Sequence, residues 1–87
     1  MWSIKLHGDD MKYIARFYTL GSDKQLVEGL GSHSVAYFDG RLSKSNASYY
    51  AYSLAKDRSY FGYRLYKGDT MSDAKPVSDL VAISWRN

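Results

Sequence analysis

Apolar and polar positions alternate along most of this 87-residue chain, and the alternation is interrupted once by a helical spacing. Trp2, Ile4 and Leu6 are separated by Ser3 and Lys5, the period of a half-buried strand, and His7-Gly8-Asp9-Asp10 supplies turn chemistry. Over residues 12–20 the alternation resumes. Tyr13, Ala15, Phe17 and Thr19 fall on one side, and Ile14, Arg16, Tyr18 and Leu20 on the other. This predicts an antiparallel hairpin in the first twenty residues, its second strand central because both sides are partly apolar. Gly21-Ser22-Asp23 ends that strand, Gln25-Leu26-Val27 suggests a short one, and Gly29-Leu30-Gly31-Ser32 reads as a loop. A further strand is expected over residues 34–38, stopped by the turn pair Asp39-Gly40.

The period then changes. Ala47, Tyr50, Ala51 and Leu54 stand at i, i+3, i+4 and i+7, one face of a helix, with Ser43 or Ser45 placed to cap it. The spacing predicts a helix over about 44–55, with Asp57-Arg58 at its exit. Alternation returns over residues 60–67, where Phe61, Tyr63 and Leu65 oppose Gly62, Arg64 and Tyr66. Residues 68–75 read as a loop. Pro76, which lacks an N–H for a ladder, is expected to precede a last strand over residues 80–85, with Val81, Ile83 and Trp85 on one face. The predicted fold is α+β, a single antiparallel sheet of four to six strands with one helix packed on one face. A small all-β barrel is the rival if the helix fails to form.

Composition agrees. Eight of the nine acids are Asp, which favours turns and caps, and Glu28 is the one Glu. The length suits one small domain spanning residues 1–87, and without cysteine neither a disulfide framework nor a thiolate metal site can form. No basic leader followed by an apolar run opens the chain, and no stretch approaches the roughly 18 apolar residues of a membrane span, so a soluble, cytoplasmic protein without membrane contact is expected. The net charge of +3 is spread without a run of basic residues.

Sites for covalent chemistry are sparse in the sequence. His7 and His33 are the only imidazoles, neither beside a nucleophile elbow. His7, Asp9 and Asp10 could offer one nitrogen and two oxygens to a metal, but the same residues make a turn. The Gly29–Ser32 loop lacks the full glycine spacing and the lysine of a phosphate cradle. No enzyme activity and no cofactor are expected.

Tyrosine is the informative residue. Six of the nine lie between Tyr49 and Tyr66, more large amphipathic rings than a small core needs. If the alanine side of the helix faces the sheet, Tyr49, Tyr52 and Lys56 share its outward face at i, i+3 and i+7. Tyr60, Arg64 and Tyr66 form a second row, opposite Phe61, Tyr63 and Leu65. These six residues, Tyr49, Tyr52, Lys56, Tyr60, Arg64 and Tyr66, are the expected partner-binding set, since tyrosine is common among binding hot spots. The alternative is that Tyr49 or Tyr52 folds back over the core edge or covers the loop after Asp57.

Phe61-Gly62-Tyr63-Arg64-Leu65-Tyr66 resembles part of the RNP1 strand of RNA recognition motif domains through Phe61, Gly62, Tyr63 and Tyr66. Ser59, Tyr60 and Arg64 depart from that pattern, and no helix pattern follows Tyr66. The resemblance implies base stacking by Phe61 and Tyr63, which the alternation equally makes core residues. In size, lack of cysteine and tyrosine content, the chain also resembles small bacteriophage accessory proteins, including inhibitors of the anti-defence and anti-CRISPR kind. That resemblance implies a non-enzymatic protein that blocks a host protein or protein complex, acting in the host cytoplasm. The alternative is a single-stranded nucleic-acid (RNA) binder using the same rings, with Lys56, Arg58, Arg64 and Lys67 on phosphates. An uncovered last strand leaves homodimer pairing open.

Overall fold

The computed structural model describes residues 11–84. The expected strand at residues 2–6, the turn with His7, Asp9 and Asp10, and the end of the last strand at Trp85 lie outside the described residues. The spine of the fold is β1 (Lys12–Leu20). On one edge it pairs antiparallel with β2 (Leu26–Glu28) beside residues 18–20 and with β3 (Val35–Asp39) beside residues 12–16. Its other edge carries β4 (Gly62–Gly68), and the outer edge of β4 carries β5 (Lys75–Pro76) and β6 (Val81–Ala82). Six strands therefore fill four columns, because β2 and β3 follow one another along one edge and β5 and β6 along the other.

The gap between β2 and β3 is a loop closed by a 3-10 turn at Ser32–Ser34. The Gly29 N–H continues the ladder by donating to the Phe17 carbonyl at 2.9 Å. A Cβ on Gly29 would stand 2.8 Å from Tyr60 Cε1, so this chain crossing needs glycine to pass the ring.

Between β3 and β4 runs α1 (Lys44–Asp57), two residues longer than the periodicity predicts. Asp39 shapes the approach: its carboxylate accepts from the Arg41 N–H at 2.9 Å and from Arg41 Nη2 at 3.0 Å. Those bonds, the side-chain one foremost, hold the Asp39 carboxyl below its usual range. Ser43 is the N-cap, its Oγ accepting from the Asn46 N–H at 3.2 Å. At the far end Ser59 takes a left-handed conformation with φ of 64°. Its N–H donates to the Lys56 carbonyl and the Tyr60 N–H to the Ala55 carbonyl, a Schellman closure with serine where glycine is usual.

The helix lies on the side of the sheet that carries Tyr13, Ala15, Phe17, Ala36, Tyr63 and Leu65. Ala47, Ala51 and Ala55 are fully buried there. Three alanines four residues apart make a narrow, low stripe, and a large ring cannot share it. Tyr50, expected to face inward, is instead 47% exposed at the helix edge, its ring 6.1 Å from Phe38. Leu54 is partly buried against the core.

Two further expectations are corrected by the packing. Tyr60 is not outward but 7% exposed, stacked 5.3 Å from Phe17. Strand β4 begins only at Gly62, so alternation does not extend back to Tyr60, and the closing turn of the helix directs that ring into the core. Pro76 does not precede a single last strand; it pairs with Tyr66 within β5, at an edge where a missing N–H is tolerated. The Ser78 hydroxyl accepts from the Leu65 N–H at 3.0 Å and separates β5 from β6.

Even-numbered residues of β1 face away from the helix. Ile14 is fully buried there between its register partners Tyr37 and Tyr66, and Tyr18 is nearly so. The fold is thus α+β with one antiparallel, curled sheet and one helix among the described residues, and the barrel alternative is set aside. No helix among the described residues is long and apolar enough to cross a membrane.

Candidate interaction surface

The outward side of α1 carries the tyrosines placed there by the spacing. Tyr49 is 66% exposed and Tyr52 38%, and Lys56 Nζ stands 5.5 Å from the Tyr52 ring centre, within cation–π range. Tyr50, displaced by the alanine stripe, adds to them: its ring is 5.9 Å from that of Tyr49. Aromatic surface therefore continues from Phe38 on the sheet through Tyr50 to Tyr49 on the helix.

Along the flank of α1 nearest β4 lies an open groove of ≈ 700 Å³. Tyr49 and Tyr52 line it with Ser43, Lys44 and Ser45 from the start of the helix, and Ser48 with the buried Tyr63 forms its floor. On that floor Ser48 Oγ and the Tyr63 hydroxyl are 2.6 Å apart, and either can donate. The Tyr63 ring is buried core, so only its polar tip reaches the groove. Ser48 and Lys44 lie outside the expected binding set, and Tyr63 is expected only as a core or base-stacking ring. The available signal was a serine at the flank of a buried alanine stripe, a position that calls for a hydroxyl partner from the sheet.

The six expected binding residues do not form one patch. Tyr49, Tyr52 and Lys56 are together on the helix, and Tyr60 is inside. Arg64 and Tyr66 alternate with Tyr63 and Leu65 along β4, and Arg64 lines a second pocket with Lys44, Ser78 and Asp79. Both are half-buried and engaged with neighbours: Arg64 Nε donates to the Ser78 carbonyl at 3.2 Å, and its guanidinium stands 6.0 Å from the Tyr66 ring. Tyr66 also hydrogen-bonds Tyr18, whose hydroxyl is pushed up to about 12, first by burial and then by that bond.

The cations named for a phosphate track are dispersed. Arg58 donates to the His33 carbonyl at 2.7 Å and lies 5.7 Å from the Phe17 ring, and Lys67 Nζ lies 4.6 Å from the Tyr13 ring. Tyr63, the RNP1-like stacking residue, is covered by the helix. His33 faces the Tyr60 hydroxyl at 3.3 Å, and neighbouring Ser34 Oγ donates to the Gly31 carbonyl at 2.7 Å. No cluster of three metal-ligating side chains occurs among the described residues.

No protein-family model, curated protein or solved structure matches this chain.

Proposed function

We propose that this chain is a non-enzymatic binding protein that modulates another protein by covering part of its surface, with the outward side of α1 as the contact face. The observation that carries this reading is the exposure of Tyr49, Tyr50 and Tyr52 on one helix, Tyr49 outermost with Tyr50 and Tyr52 on its two flanks. Exposed rings cost free energy in contact with water and are recovered when a partner covers them, while their hydroxyls keep the free protein soluble. Lys56 beside Tyr52 adds a charge at the rim of the same face.

The resemblance to small bacteriophage accessory proteins makes a host protein or protein complex the proposed partner, and inhibition by occlusion the proposed mode. The test is capture of partners from the native host on the purified chain, followed by affinity measurements with Tyr49→Ala and Tyr52→Ala. Hot-spot residues lose roughly 1 to 3 kcal/mol on truncation. Unchanged affinity in both variants removes the proposal.

Nucleic-acid binding has less support. Arg58, Arg64 and Lys67 each contact a different part of the fold and do not line a track with the helix tyrosines. A titration with single-stranded oligonucleotides at low salt separates the two readings, since phosphate-driven binding weakens steeply as salt rises.

A further inference from the structure

Resting on the reading of α1 as a contact face, we infer that the groove beside it receives a short, extended, acidic peptide segment of the partner. Three features of the groove define this occupant. Its length comes from the helix: Lys44 and Tyr52 are eight residues apart, about 12 Å along the axis, which spans about four residues of extended chain. Its charge comes from the lining, which includes Lys44 and no acidic residue. The first turn of α1 holds no acid either, so nothing there balances the ammonium at the positive end of the helix. Asp79 lines a neighbouring pocket with Lys44, but no ion pair among the described residues joins the two.

The third feature is the mix of apolar and polar surface. Tyr49 and Tyr52 present ring area to an aliphatic or aromatic side chain of the segment. Beneath it, one O–H of the Ser48–Tyr63 pair is given to the other, which leaves the pair one O–H to donate to a carbonyl and a lone pair to accept an N–H of a passing backbone. An Asp or Glu of the segment meets Lys44, and an apolar side chain two or three residues away lies between the tyrosines.

The experiment pans a yeast-displayed library of random linear nonapeptides against the purified full chain, with sequencing of the retained pool. Expected is enrichment of Asp and Glu next to aliphatic or aromatic residues. Lys44→Glu is the decisive variant, because an acid in the first turn favours the helix and the variant folds. It should cut recovery of the selected peptides roughly tenfold, or move the selection toward Lys and Arg. Tyr49→Ala combined with Tyr52→Ala should abolish recovery.

A pool without acid enrichment, a pool unaffected by Lys44→Glu, or no retained peptide overturns the inference. In each of those cases the broader reading still stands if a captured host protein loses affinity with Tyr49→Ala. If captured partners ignore both tyrosine variants, the broader reading fails on its own evidence.

Discussion

The Tyr63 hydroxyl and Ser48 Oγ meet at 2.6 Å, joining a core ring of β4 to the flank of α1 at the floor of the groove. This bond fixes the rotation of the helix over the sheet more specifically than three alanine methyls can. Removing either partner leaves the other hydroxyl half-buried without its bond, at a cost of about 1 kcal/mol. Tyr63→Phe and Ser48→Ala should each lower the urea midpoint by a comparable amount. The double variant should cost clearly less than the two added together, since both remove one interaction. Additive losses would mean that the bond does not contribute.

The alanine stripe sets how close the helix sits. Ala51 is fully buried against the sheet, so Ala51→Leu must push α1 outward or force its neighbours off their rotamers. Overpacking of this kind costs about 1 to 3 kcal/mol. Tyr50→Leu, at the exposed edge, should change stability by less than about 1 kcal/mol. Thermal unfolding of the two variants checks the contrast, and equal losses would show that the helix is not seated on its alanines.

Much of this arrangement was legible in the sequence, where local rules decide it. The alternation bounded β1, Ser43 stood ready as a cap, and Asp39-Gly40 announced the turn out of β3. A Cβ on Gly40 would collide with the Met11 carbonyl, so that turn also depends on a close approach that no local pattern encodes. The four columns were not legible, because β2 following β3 along one edge depends on pairing between distant residues. Tyr50 misled because periodicity records which residues share a side and ignores how large they are. Tyr60 departs from the alternation because β4 begins only at Gly62, two residues further on. The candidate site divides for a topological reason: Arg64 and Tyr66 share β4 with Tyr63 and Leu65, and the helix can cover only one side of that strand.

Ser59 offers a stabilising substitution. Its left-handed φ of 64° puts a Cβ where glycine has none, while its N–H completes the helix closure. Ser59→Gly keeps the backbone bond and relieves that strain, so it should stabilise the fold by about 0.5 to 1 kcal/mol, less any entropy gained by the unfolded chain. In a domain of this size that is a rise of a few degrees, about 2 to 6 °C, in Tm. A lower Tm would show that the serine side chain contributes more than the strain removes.

Tyr18 makes stability depend on alkaline pH. Its hydroxyl is raised to about 12 by burial, the Tyr66 hydrogen bond and the charge of Glu28, with Arg64 acting in the opposite direction. The unfolded chain loses the same proton near its ordinary value of about 10. Between those values the folded state holds a proton that the unfolded state has released, so the equilibrium moves toward unfolding as pH rises. The contribution is complete below about pH 10 and declines through about pH 12, at up to about 1.4 kcal/mol per pH unit. Tyr18→Phe has no proton to lose at this position, so the difference between the two proteins isolates it. The stability of the native chain relative to Tyr18→Phe should therefore fall by about 1 kcal/mol between about pH 9 and pH 11 in urea denaturation. Parallel stability curves over that range would show that Tyr18 ionises alike in both states and that its burial does not hold the proton.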